Sequence, residues 1–205
     1  MDKKIKNMKL KLFFFKTLLL SGLIINISCE KEKENNPDTK LASIKGAGYL
    51  PLEVGNYWKL SNISDKMIDK VVNIGGNDYY RLISEDTSYL RKTEDEKIFE
   101  RTKSSDEVLK FDLSAEVGQT WTYKHDNLDN TWYATLSSKN DTIKLDNYTF
   151  YNCYRFYFDV PLMIDEEHVI WLAPDIGFVQ ECYLGGSGDK IKLEKVIING
   201  IDIEF

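Results

Sequence analysis

From Tyr49 onward, short runs rich in Tyr, Phe, Trp, Ile, Val and Thr alternate with clusters of Gly, Asn, Asp and Ser, and no stretch sustains a 3.6-residue apolar period. That pattern predicts half-buried β-strands rather than helices. Strands are expected over residues 57–61, 67–74, 79–84, 88–93, 97–102, 108–113, 120–125, 131–138, 142–145, 149–160, 168–173, 178–184, 190–198 and 201–205. Gly75-Gly76-Asn77-Asp78 and Asn199-Gly200 tolerate positive φ between strands, so tight hairpins and antiparallel pairing follow. Tyr154, Phe156, Phe158 and Val160 fall on one face of a strand, while Cys153, Arg155, Tyr157 and Asp159 fall on the other, so the first face is core. Both faces are apolar in Val169-Ile170-Trp171-Leu172, as in a strand covered on both sides and central in its sheet. The fold class is all-β: a single antiparallel domain over 47–205, shaped as a curved sheet, a sandwich or a partly open barrel.

One local pattern occurs twice. Glu53-Val54-Gly55-Asn56-Tyr57-Trp58-Lys59-Leu60 parallels Glu116-Val117-Gly118-Gln119-Thr120-Trp121-Thr122-Tyr123, and Asp175-Ile176-Gly177 is a fainter third instance. Each copy reads as a glycine turn leading into a strand with a core-facing Trp, a device that recurs without requiring a duplicated half-domain.

Ahead of residue 47 the pattern changes. Lys3, Lys4, Lys6, Lys9, Lys11 and Lys16 precede an apolar stretch over 17–27, and Ser28 stands directly before Cys29. A basic segment, a short apolar core and a small residue at a cleavage point are the parts of a secretory signal, and the stretch is too short to span a bilayer. Met8 is an alternative start. Ile27-Ser28-Cys29 resembles the bacterial lipobox, with Asn26 where the usual motif has Leu. The resemblance implies cleavage before Cys29, lipidation of its sulfur and attachment to the outer membrane, facing either the periplasm or the exterior. Two or three acyl chains at about 0.8 kcal/mol per buried methylene make a stable anchor. Residues 29–46 begin with the charged run Glu30-Lys31-Glu32-Lys33-Glu34 and read as a flexible tether.

Charge narrows the partners. The whole chain carries 27 basic and 33 acidic residues, and 1–28 hold six of the lysines and one aspartate, so the remainder is strongly acidic. Nucleic-acid binding needs clustered Lys and Arg, so no nucleic-acid role is expected. With Cys29 committed to lipid, Cys153 and Cys182 either pair as a disulfide, as an oxidising compartment permits, or remain separate buried thiols.

Candidate chemistry is sparse. His125-Asp126 with Asp129 lacks calcium-loop spacing and reads as a hairpin tip, so no metal site is assigned. His168 shares a face with Ile170 and Leu172, as a core or rim histidine does. Gly185-Gly186-Ser187-Gly188-Asp189 precedes a strand and lacks a P-loop lysine, which leaves a loop. Asp165-Glu166-Glu167 offers carboxylates of the kind glycosidases pair, so Asp165 and Glu167 are the candidate catalytic groups of an envelope-polysaccharide hydrolase. No nucleophile elbow, zinc signature or dinucleotide fingerprint is present, and no cofactor is expected. Asp141-Thr142-Ile143 resembles the Asp-Ser/Thr-hydrophobic site of O-glycosylation in exported Bacteroidota proteins, which makes Thr142 a candidate acceptor.

Leu52-Glu53-Val54-Gly55-Asn56-Tyr57-Trp58, Arg91, Asp95-Glu96-Lys97-Ile98-Phe99, Phe111-Asp112-Leu113 and Val117-Gly118 together resemble uncharacterised secreted proteins and lipoproteins of Bacteroidota. The shared residues are turn glycines and core aromatics, which imply a fold and no activity. The expectation is a membrane-anchored binding or accessory module whose partners are envelope proteins or glycans.

Overall fold

The structure is a computed structural model that describes residues 37–205 apart from 103–104, 126–129, 162, 164–165 and 186–187. Helix α1 (Pro37–Ser43) is followed by β1 (Tyr57–Leu60), β2 (Lys66–Ile74), β3 (Asn77–Ile83), β4 (Thr87–Lys92), β5 (Lys97–Arg101), β6 (Val108–Asp112), β7 (Thr120–His125), β8 (Thr131–Lys144), β9 (Thr149–Asp159), β10 (His168–Ala173), β11 (Gly177–Tyr183), β12 (Lys190–Ile198) and β13 (Ile201–Glu204). All pairings are antiparallel within one sheet, which confirms the all-β expectation.

The first twelve strands neighbour one another in chain order, except that β6 and β7 share no ladder, and β12 returns to pair with β1. The sheet is thereby rolled into a nearly closed barrel. β12 makes this possible by changing neighbours along its length. Its first residues, 190–192, pair with β11, whereas 195–198 pair with β13 and 193–197 pair with β1. At the other joint, side chains bridge β6 and β7. Trp121 Nε1 donates to the Leu109 carbonyl at 2.9 Å, and Lys110 Nζ lies over the Tyr123 ring at 6.0 Å from its centroid.

Alternation puts one face of each strand inside. A continuous inner row runs Leu136, Phe156, Ile170, Glu181, Ile191 across β8 to β12, and four of the five are apolar, as a water-free interior requires. Phe111 on β6 reaches across the core to Phe158 on β9 and Phe178 on β11. Trp58 is fully buried, and its Nε1 donates to the Ile176 carbonyl at 2.5 Å. Gly75-Gly76 and Asn199-Gly200 have φ of 62°, 88°, 52° and 78°, the paired positive values of two-residue hairpin turns.

One strand boundary is corrected. Residues 131–138 and 142–145 form the single strand β8, because Ser138 and Asn140 absorb the polar interruption. Ser138 Oγ lies 3.1 Å from Asn140 Oδ1, and register shifts on either side let β8 bend while still paired to β9. Described residues ahead of position 47, within the stretch expected as a tether, also pack with the sheet. The apolar residues of Leu41-Ala42-Ser43-Ile44 explain this, since Leu41 packs on the core and Ile44 is buried. Lys40 Nζ further ties α1 to the Asp202 carbonyl at 2.9 Å. Beyond α1, the Asp175 carboxylate accepts from the backbone N–H groups of Gly46 and Gly48 at 2.9 and 3.0 Å, and Leu50 is buried.

Candidate functional site

Two regions concentrate polar chemistry. The first is a shallow groove on the outer face of β8 to β10, lined by Thr135, Ser137, Arg155, Tyr157, Val169, Trp171 and Leu184 and enclosing about 350 Å³. Its geometry follows from the ladder. Tyr157 pairs with Val169 and Arg155 with Trp171, so the two aromatics are diagonal neighbours on adjacent strands, within reach of each other's ligand. Trp171 Nε1 donates to Asp141 Oδ2 at 2.8 Å, and Arg155 Nη1 lies 3.4 Å from the same oxygen. Arg155 Nε donates to Ser137 Oγ at 3.1 Å. Asp141 therefore both fixes the indole and neutralises the guanidinium. Burial, then the charges of Asp159 and Glu167, push the Tyr157 phenol upward, so it is a hydroxyl at any ordinary pH.

The second region is a set of charged side chains inside the barrel. Lys66 Nζ lies 3.1 Å from Glu181 Oε1, and His168 Nε2 lies 3.5 Å from Glu181 Oε2. Neither contact is directed as a hydrogen bond. Burial alone would push the Glu181 carboxyl upward; His168 and Lys66 outweigh it and hold the group down at about 2. Nearer the β6–β7 joint, Lys110 Nζ lies 2.8 Å from Glu100 Oε1, and the Tyr123 hydroxyl donates to Glu100 Oε2. The His168 ring stacks on Tyr183 at 4.2 Å, and Tyr183 is half exposed. Each carboxylate here has a lysine of its own, which is what stabilises a charge away from water.

His168 is partly buried at the start of β10, and its buried Nε2 makes no hydrogen bond. Glu167 directly precedes β10, and its carbonyl accepts from Leu184 N at 2.8 Å. Cys29, Asp165 and residues 126–129 lie outside the described residues. Among the described residues, no three His, Cys, Asp or Glu side chains are placed to hold a metal ion. Thr142 is exposed on β8, beside the Asp141 that anchors Trp171.

The disulfide alternative is not realised, for Cys153 and Cys182 are both free and buried. β10 lies between their strands, and the ladder sets Cys182 level with Tyr157, four residues from Cys153. Two strand spacings of about 4.8 Å and a further ~13 Å along the strands far exceed the roughly 7 Å limit for a bridge. Burial pushes the Cys153 thiol up to about 12, which makes it a poor nucleophile.

Sequence reasoning did not single out Lys66, Glu100, Lys110, Tyr123 or Glu181. A signal existed for Glu181: it is the one charged residue in the run Phe178-Val179-Gln180-Glu181-Cys182 of a central strand.

No protein-family model and no curated protein matches the chain. Among solved structures it is similar to the crystal structure of a candidate lipoprotein from Parabacteroides distasonis, with 12% sequence identity and a TM-score of 0.36 over 73% of this chain and 98% of the other. A likeness of that degree says nothing of function.

Proposed function

We propose that the protein is a lipid-anchored module of the bacterial outer membrane, tethered through Cys29, which captures its ligand non-covalently in the groove around Trp171. The observation that carries this reading is the groove itself. Two aromatic side chains stand on strands flanked on both sides by others, and Trp171 is held by its hydrogen bond to Asp141, so binding costs little ordering entropy. Nothing in the groove resembles a nucleophile and its base, since Arg155 is compensated by Asp141 and the hydroxyls belong to Thr and Ser without an adjacent histidine. The support for the anchor is the resemblance of Ile27-Ser28-Cys29 to the lipobox, and among the described residues no helix is long and apolar enough to cross a membrane.

The test combines anchoring and turnover. Cells expressing the full chain are labelled with a fatty-acid analogue, and the purified protein is incubated with peptidoglycan, glucans and peptides. Wild type should be labelled and sediment with membranes, Cys29→Ser should be unlabelled and soluble, and no substrate should be consumed. An unlabelled wild type would overturn the anchor. Turnover abolished by Asp165→Asn or Glu167→Gln would replace binding with hydrolysis.

A further inference from the structure

We infer that the groove of β8 to β10 takes an uncharged oligosaccharide, one or two sugar rings lying against Trp171 and Tyr157. This rests on the groove being the binding site and adds the chemical class of its occupant.

Charge decides between the classes of ligand. An anionic ligand needs a cation with spare valence, yet Arg155 already faces Asp141 at 3.4 Å and Ser137 at 3.1 Å. Asp159 follows Tyr157 by two residues on the same face of β9, so a carboxylate stands near the phenol at the edge of the groove. Phosphorylated or carboxylated ligands would find no unpaired cation in the lining, and a cationic ligand would find no carboxylate among the lining residues. An uncharged ligand needs neither.

The remaining chemistry suits a sugar. Apolar C–H faces of a pyranose lie against aromatic surface, supplied here by Trp171 and Tyr157, while its ring of hydroxyls needs both donors and acceptors. Thr135 and the Tyr157 phenol serve as either, Ser137 accepts because its own proton goes to the Arg155 carbonyl at 3.0 Å, and the exposed edge of Arg155 donates. The Thr135 hydroxyl is already paired with Thr120 Oγ1 at 2.8 Å, which orients it without using all its lone pairs. A volume of about 350 Å³ lies at the small end of the roughly 300–1,000 Å³ typical of ligand sites, so the groove holds a short segment of a chain that continues past Leu184, half exposed at its edge.

The full acylated chain in detergent is titrated with hexasaccharides of β-1,3-glucan, β-1,4-xylan and α-mannan, and with oligogalacturonate as the anionic probe. At least one neutral chain should bind saturably with little dependence on salt. Trp171→Leu should weaken that binding about thirtyfold, as expected for an aromatic anchor, and Trp171→Tyr should recover most of it, with circular dichroism unchanged in both. In parallel, a photoreactive phenylalanine replaces Leu184 in cells. Preference for oligogalacturonate, lost in Trp171→Leu, would overturn the uncharged class and keep the groove. A crosslinked protein at position 184 with no sugar bound by any variant would do the same. Sugar binding untouched by Trp171→Leu, or no sugar bound and no crosslink, would overturn both the class and the groove.

Discussion

The two joints that close the barrel are made by the same local device and finished by different means. At both, a Glu-Val-Gly turn leads into a strand. Gly55 N donates to the Ile68 carbonyl at 2.7 Å and Gly118 N to the Leu136 carbonyl at 2.8 Å. Ile68 N then returns to the Asn56 carbonyl at 2.9 Å, and Leu136 N to that of Gln119 at 3.1 Å. Val54 and Val117 are exposed to almost the same degree, 54% and 58%. Past the turn the copies diverge. β1 lies between β2 and β12, and Asn56 is buried with both ends of its amide bonded, to the Pro51 carbonyl and to Asn199 N. β7 has a ladder only with β8; towards β6 it offers Trp121 and Tyr123 instead. A turn can thus be copied by sequence alone, whereas closure depends on what the next element presents.

The largest expected difference between the joints lies in their tryptophans. Trp58→Ala removes a fully buried indole and strands the Ile176 carbonyl, which should cost about 3–5 kcal/mol. Trp121 is only partly buried and its joint has solvent on one side, so Trp121→Ala should cost roughly 2 kcal/mol. Urea denaturation of the two variants measures this directly. A Trp121→Ala penalty equal to or above that of Trp58→Ala would mean that the β6–β7 joint carries as much of the fold as the ladder does.

The second difference is electrostatic and depends on pH. Register shifts leave Lys110 on β6 and Tyr123 on β7 as extra residues opposite a single partner stretch, and both meet Glu100. Burial alone would raise the Glu100 carboxyl; Lys110 outweighs it, and the group is held below the ordinary carboxylate range. A depressed carboxyl contributes stability fully present above about pH 4.3 and lost as pH falls through the lowered value. Lys110 is raised in turn, against the effect of its burial and chiefly by Glu100, so its share persists below about pH 10.4 and is lost only above that. Glu100→Gln should therefore cost about 2–3 kcal/mol at pH 7 by leaving Lys110 unpaired, and much less at pH 3. A penalty that stays constant between pH 7 and pH 3 would contradict this assignment.

These bulges also show where sequence stops being informative. Hairpin chemistry at Gly75-Gly76 and Asn199-Gly200, the inner face of Phe156 and Phe158, and the central place of β10 are all written in local pattern, because they depend on φ preference and period-two alternation. Lys110 and Tyr123 are not, since a one-residue bulge resets which side chains face inward and is fixed by the neighbouring strand's register. The groove was half visible for the same reason. Tyr157 and Arg155 could be placed on one face of β9, but that Trp171 lies opposite Arg155, with Asp141 beneath both, needs the β9–β10 ladder and the bend in β8. α1 escaped notice because seven residues are too few to show a helical period.

The smallest effect sharpens the comparison most, since it should be the same at both joints. Gly55 and Gly118 have φ of +95° and +91°, and a Cβ built on either meets nothing within 4 Å. Alanine at these positions is thus sterically free of its surroundings and pays only for a left-handed backbone, about 1–2 kcal/mol. The two penalties should agree within roughly 0.5 kcal/mol, the scatter expected of independent sites, although the tryptophans three residues on differ widely in theirs. Gly177, in the fainter third copy, supplies the control. Its φ is similar at +88°, but a Cβ there would sit 3.0 Å from Trp58 Nε1 and 3.1 Å from Leu50 Cδ1, so Gly177→Ala must also displace the indole and should cost more than either. Denaturation of the three alanine variants side by side separates backbone strain from packing. Should Gly55→Ala exceed Gly118→Ala by the same margin as Trp58→Ala exceeds Trp121→Ala, the turn and the closure would not be separable, and the copied turn would draw its conformation from the joint around it.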